Sequence, residues 1–248
     1  MTAELIEVRG MSHAFGNVEV LSGIDLSIRQ GEIVAVVGPS GCGKTTLLNL
    51  LSGHIAPTSG TITRRGSVRT VYQKDGLFPW LTVAENIALG LRHVEDPAQR
   101  QVQLDDAITL VGLTEFAGFY PHHLSGGMRQ RTELARALVS RAETLLMDEP
   151  FSALDYLTRL NMRHELVRLL QRMPRTVVLV THDIEEAAQL ADRVILLSRR
   201  PSRVWKVLDI KAARPRRVTQ QEVTHAVREL LSVLNLESAG ETPAFAEA

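Results

Sequence analysis

A glycine-rich run, GPSGCGKTT, occupies positions 38–46 of the 248-residue sequence, and its first eight residues fit G-x-x-x-x-G-K-[ST]. Such a run suits phosphate. Gly38, Gly41 and Gly43 let backbone N–H groups wrap oxygens, Lys44 supplies charge to the β- and γ-phosphates, and the Thr45 hydroxyl is placed to ligate Mg²⁺. A second apolar run, LLMDEP, ends in two adjacent acids. Asp148 is placed to hold Mg²⁺ and Glu149 to polarise an attacking water as general base; the plainer alternative is two acids opening a solvated loop. A third run, TVVLVTHD, brings His182 to a strand end, where it can contact a γ-phosphate, although a lone histidine is more often structural. Gln73 closes RTVYQ, and its amide can reach a metal or a water; by composition alone it says little.

A second glycine-rich segment, LSGGMRQR, spans 124–131. Ser125 followed by Gly126 and Gly127 can start a helix with the serine as N-cap. It can also bare N–H groups at the positive end of a helix dipole, a second phosphate cradle. One nucleotide needs one cradle, so this segment raises the question of whose phosphate it would hold.

The elements that must position these residues follow from the apolar pattern. EIVAVV (32–37), TLLMDEP (144–150), TVVLVTHD (176–183) and DRVILLS (192–198) read as buried strands. KTTLLNLLSG reads as a helix stopped by Gly53, and 161–171 and 184–191 read as helices between strands. Alternation of this kind predicts a doubly wound α/β sheet. Ligands in such folds lie beyond strand carboxyl ends, where Lys44, Asp148, Glu149 and His182 all fall. The stretch between Gln73 and Ser140 is mostly helical in pattern, an inserted lobe. Past Pro201, Val223, Val227, Leu230 and Leu234 recur at helical spacing, and the last dozen residues are small and polar, a tail expected to fray.

Composition narrows the class. Lys plus Arg number 28 against 28 Asp plus Glu, which gives no global reason to bind nucleic acid. One cysteine, Cys42, allows no intrachain disulfide and fits a reducing compartment. The first ten residues carry acids and no apolar core, unlike a signal peptide. No apolar run approaches the roughly 20 residues of a membrane helix, so membrane contact is expected through a partner or a surface patch. His122 and His123 lack the matched Cys/His set that zinc needs. KAARPRR (211–217) reads as a solvated basic loop, with contact to lipid headgroups or a membrane partner as the alternative.

Taken together, these motifs resemble those of the ATP-binding subunit of an ABC transporter, over about residues 6–198. Positions 38–46, including Pro39, Ser40, Cys42 and Thr46, match the Walker A motif; Cys42 sits at a variable position there. Gln73 matches the Q-loop, LSGG the family signature, LLMDEP Walker B, SALD (152–155) the D-loop, and His182 the switch histidine. The resemblance implies ATP and Mg²⁺ as cofactors and an α/β P-loop NTPase (RecA-like) core with an inserted α-helical signature subdomain. The ATPase domain is then expected over 1–200, with the core about 1–73 and 141–200, the lobe about 74–140, and an extension with one amphipathic helix over 201–248. It implies that Phe15 stacks on adenine, the alternative being a core aromatic. It also answers the question of the second cradle. Two subunits pack head to tail, so that Ser125, Gly126 and Gly127 of one meet the nucleotide held by the other.

QKDGLFPWLTVAENIALGL, FSALDYLTR and THDIEEAAQLADRVILLSRRP are similar to the nitrate/sulfonate/taurine importer group. That similarity implies a homodimer on the cytoplasmic face of the inner membrane, peripheral, joined to a permease and served by a solute-binding protein, driving uptake of a small anionic solute. Phe78, Pro79 and Trp80 would meet the permease's coupling helix, or else pack inside the lobe. Importers of thiamine precursors or riboflavin share LFPW and form the nearest alternative. A soluble ABC ATPase without a permease is the other, but the chain has neither a second cassette nor long coiled coils.

Overall fold

The structure is a computed structural model that describes residues 3–72, 76–172 and 174–238. In chain order the strands are β1 (Glu4–Phe15), β2 (Val18–Arg29), β3 (Ile33–Val37), β4 (Ser59–Arg64), β5 (Val68–Val71), β6 (Thr144–Asp148), β7 (Thr176–Val180), β8 (Arg193–Leu197) and β9 (Val204–Asp209). The α-helices are α1 (Lys44–Ser52), α2 (Val83–Ala88), α3 (Pro97–Leu110), α4 (Gly126–Leu138), α5 (Tyr156–Arg172), α6 (Ile184–Leu190) and α7 (Gln221–Ser238). The chain divides into two compact units, Met1–Arg64 with Val180–Ala248, and Arg65–Leu179.

The first unit holds β3, every residue of which is buried. Five consecutive apolar residues in one short strand require cover on both faces, which is how parallel strands between helices read. β8 runs parallel to β3, from Val34 opposite Arg193 to Val37 opposite Leu196, and β9 returns antiparallel along β8. Helix α1 leaves directly from the loop after β3 and stops at Gly53, in the left-handed conformation with φ 80°, as a glycine C-cap does. Helix α7 packs on α6, and its Val223, Ala226, Leu230 and Val233 are buried. The buried stripe thus takes Ala226 and Val233 where the sequence pattern pointed to Val227 and Leu234, which are half-buried.

An antiparallel sheet in the same unit, in the order β2, β1, β4, does not appear in the sequence reading. Its two twelve-residue strands form a hairpin whose register shifts repeatedly, between Val8 and Met11 and again near His13. Ile6, Val8, Met11, Leu21, Ile24 and Ile28 of these strands are buried.

The second unit holds β5, β6 and β7 in that order, with β5 and β6 parallel from Val68 opposite Thr144 to Val71 opposite Met147. Its helices α2, α3 and α4 pack on one another. Asn86, fully buried in α2, gathers the turn before that helix. Its side chain accepts from the Phe78 N–H at 2.9 Å and donates to the carbonyls of Phe78, Leu81 and Thr82. No helix among the described residues is long and apolar enough to cross a membrane.

Candidate functional site

The glycine loop spans the short distance between β3 and α1. Gly43 has φ 110°, and a Cβ placed there would stand 2.7 Å from Val20 Cγ1, so no larger residue fits. The loop therefore closes against the β2 hairpin. Lys44, only 8% exposed, folds its ammonium back onto the Gly38 and Pro39 carbonyls at 2.8 and 3.0 Å. A buried cation tethered by two neutral acceptors has unused charge for a multiply charged anion. Helix α1 starts without any side-chain cap and without an acid in its first turn. Five other helices among the described residues are capped by side chains: α2 by Thr82, α3 by Asp96, α4 by Ser125, α5 by Asp155 and α6 by Asp183. The uncapped start leaves first-turn N–H groups directed at whatever the loop holds. The Thr45 side of this turn is exposed and Thr46 is half-buried.

Phe15 ends β1, 55% exposed, so it is not a core aromatic. It stands edge-on to the buried His13 ring, with centroids 4.7 Å apart, an arrangement that leaves a face free for stacking. His182, exposed, lies one residue beyond Thr181, whose N–H donates to the Val36 carbonyl at 3.2 Å. That bond sets the histidine next to the strand whose carboxyl end opens into the glycine loop. Asp183 follows as the N-cap of α6 and accepts from the Glu186 N–H at 2.9 Å.

In the second unit, Ser125 is the N-cap of α4, its hydroxyl accepting from the Met128 N–H at 3.3 Å. The structural reading of this serine therefore holds, and Ser125 and Gly126 are also exposed. A Cβ on Gly127 would come within 3.1 Å of Leu154, so the start of α4 sits tightly on the 152–155 segment. Asp148, buried at the end of β6, and Glu149 follow each other, and Glu149 alone among the described non-glycine residues has a positive φ, 49°. A left-handed glutamate costs on the order of 1 kcal/mol or more and must be held by its surroundings. Gln130 of α4 does this. Its Nε2 donates to the Glu149 carbonyl at 3.1 Å and its Oε1 accepts from the Ala153 N–H at 3.2 Å. Ser152 adds a backbone and a hydroxyl donor to the same carbonyl. Asp155 caps the start of α5; donation from the Thr158 hydroxyl and then its N–H holds the Asp155 carboxyl below its ordinary value.

Sequence reading missed Gln130, because a polar residue on a helix declares its partner only in three dimensions. It also missed the buried pair Glu133 and Arg136, which take the N–H and the carbonyl of Gly76 at 2.8 and 3.0 Å. Gln73 lies outside the described residues. Trp80 is 68% exposed and leans on Phe78 at 5.4 Å, a surface pair rather than lobe core. His122 and His123 form a ring cluster with Tyr120, and no group of three or more His, Cys, Asp or Glu arranged for a metal occurs among the described residues. Thr45 offers a hydroxyl and Asp148 a carboxylate, each a hard oxygen of the kind Mg²⁺ prefers over a softer ligand.

Comparison with known proteins agrees with this chemistry. The sequence profile of the ABC transporter family matches residues 21–152. The chain is 42% identical to the aliphatic sulfonates import ATP-binding protein SsuB 1 of Agrobacterium fabrum, over 91% of this chain and 82% of that protein. It is also 42% identical to the nitrate import ATP-binding protein NrtC of Synechococcus elongatus, over 85% of this chain but only 34% of that longer protein. Among solved structures, the dimeric post-hydrolysis state of the ATP-binding cassette MJ0796, bound to ADP and Pi, superposes with a TM-score of 0.74 at 29% identity. That match covers 84% of this chain and all of the other.

Proposed function

Because the chain belongs to the ABC transporter family and is an ATP-binding ATPase of that family, we propose that it powers an importer for a small anionic solute of the sulfonate or nitrate class. The relatives named for those solutes support the solute class. In this reading two copies pair head to tail and sit peripherally on the cytoplasmic face of the inner membrane, each bound to a permease that a solute-binding protein supplies. The exposed Phe78 and Trp80 are the anchor offered to the permease, since exposed aromatics are frequent interface hot spots.

The site residues take these roles. Phe15 stacks the adenine. The backbone of 38–46 (Gly38, Pro39, Ser40, Gly41, Cys42, Gly43, Lys44, Thr45 and Thr46) wraps the phosphates, with Lys44 countering their charge. Thr45, Gln73 and Asp148 would hold Mg²⁺, which would supply positive charge to the phosphates. Glu149 takes a proton from the attacking water, and Gln73 and His182 orient that water against the γ-phosphate. Ser125, Gly126 and Gly127 present their hydroxyl and N–H groups to the nucleotide of the second copy. Release of phosphate loosens that contact, and the movement passes to the permease.

The observation that carries the reading is the uncapped α1 beneath a glycine loop with a buried Lys44 held by two backbone carbonyls. Lys44→Ala removes one preorganised charge contact, a loss that typically costs ~3–4 kcal/mol at a transition state. Steady-state ATP hydrolysis is expected to drop at least a hundredfold, and turnover near wild type sinks the phosphate-loop reading. Affinity purification of the tagged chain from native membranes is expected to bring down a polytopic permease. A purely soluble complex excludes the importer.

A further inference from the structure

Ser202 lies 160 residues beyond the glycine loop, outside every motif, and is completely buried. Its hydroxyl is placed to donate to the Cys42 carbonyl and also to the Ser198 carbonyl, the latter at 2.9 Å. Its backbone is fastened to β2 on both sides. The Ser202 N–H donates to the Val20 carbonyl and the Ser202 carbonyl accepts from the Ser22 N–H, each at 2.9 Å. Val20 is the residue that closes on Gly43. The same loop brings Arg200 to the glycine loop, with a guanidinium nitrogen 3.4 Å from where a Cβ on Gly41 would stand. The hydroxyl is thus held rigidly at a backbone oxygen of the phosphate cradle.

The direction of that bond has a chemical consequence. In a planar trans peptide the C=O and the N–H point opposite ways. The unit joining Cys42 to Gly43 is trans. A donor that fixes the Cys42 carbonyl on the hairpin side therefore turns the Gly43 N–H away from the hairpin. Left free, a peptide next to a glycine with φ 110° has an easy flip available, and the flipped form would present a carbonyl oxygen to a phosphate. We infer that Ser202 is a positioning residue for phosphate binding: its hydroxyl locks the 42–43 peptide so that the Gly43 N–H, and not the Cys42 oxygen, faces the nucleotide's phosphates.

This rests on the assignment of 38–46 as the phosphate loop, and the experiment separates the two. ATP and inorganic tripolyphosphate, which has the phosphates without the base, are titrated against wild type, Ser202→Ala, Ser202→Cys, Phe15→Ala and Lys44→Ala, alongside KM, kcat and the melting temperature without nucleotide. Losing one orienting hydrogen bond is expected to weaken both ligands about fivefold in Ser202→Ala, raising KM by the same factor while kcat stays within twofold. Ser202→Cys, with its weak S–H donor, is expected to fall between Ala and wild type, and carries the test if the alanine variant folds poorly. Phe15→Ala is expected to weaken ATP and spare tripolyphosphate, which marks the base-side effect as different. If Lys44→Ala weakens tripolyphosphate and neither Ser202 variant does, the inference is wrong and the phosphate loop stands. If Lys44→Ala also leaves tripolyphosphate binding intact, the loop assignment fails and the inference with it. A fall in melting temperature and kcat with KM unchanged would make Ser202 merely structural.

Discussion

Gln130→Ala tests whether the signature helix holds the catalytic turn. In the structure one side-chain amide, 5% exposed, satisfies the Glu149 carbonyl and the Ala153 N–H at once. Alanine removes both bonds and leaves a small void. The Glu149 carbonyl keeps its two donors from Ser152, so the larger loss falls on the Ala153 N–H. Each bond is worth about 0.5–1.5 kcal/mol net, which puts the pair at roughly 1–3 kcal/mol. The left-handed turn at Glu149 stores a strain of that same order, so losing the amide removes part of what opposes relaxation to negative φ. A carboxylate displaced by about an ångström can cost two orders of magnitude in rate. Hydrolysis is therefore expected to slow between tenfold and a hundredfold, with ATP affinity within twofold because the glycine loop is untouched. Gln130→Glu keeps the acceptor for Ala153 and loses the donor, and should fall between. The assay is single-turnover hydrolysis beside equilibrium nucleotide binding. Normal turnover in Gln130→Ala would show that the amide does not position Glu149 for hydrolysis, and a matching loss of nucleotide affinity would show that the effect is not confined to the turn.

Two further outcomes test the paired arrangement. Glu149→Gln keeps shape and hydrogen bonding but loses the base, so Mg-ATP should give a lasting dimer by gel filtration where wild type gives a transient one; normal hydrolysis by this variant would mean another group activates the water. Head-to-tail packing predicts that Ser40→Cys and Ser125→Cys, both exposed positions, form a disulfide between chains under mild oxidation with ATP. Cys42, 2% exposed, is too buried to serve as that partner, and a band that stays monomeric on a non-reducing gel would overturn the composite site.

The parts of the fold that the sequence made legible are those written in uninterrupted apolar runs. IVAVV, TLLM and TVVLV announce β3, β6 and β7 because both faces are covered, and Gly53 marks the end of α1 from sequence alone. The hairpin β1–β2 hid itself. Its alternation is broken by Gly10 and Gly23 and by the register shifts, so no clean period of two survives. The glycine loop and the acid pair carry fixed spacings that chemistry demands, and they were readable for that reason. Gln130, Glu133, Arg136 and Ser202 were not, because each works by reaching a backbone group 19 to 160 residues away. Nothing about a buried serine's neighbours in sequence says which carbonyl it will meet.

The bare start of α1 has a thermodynamic meaning beyond recognition. Where α2 to α6 carry a side-chain acceptor at their start, α1 leaves its first-turn N–H groups to a molecule from solution, so in the proposed reading nucleotide binding completes that helix start. Stability then becomes a function of nucleotide concentration. A ligand that binds only the folded form raises stability by RT ln(1 + [L]/Kd), about 2.7 kcal/mol at a hundredfold excess over Kd. A cell depleted of nucleotide would hold this subunit in a measurably softer form, more open to proteolysis, and in that state the amount of the ATPase would follow the fuel it consumes.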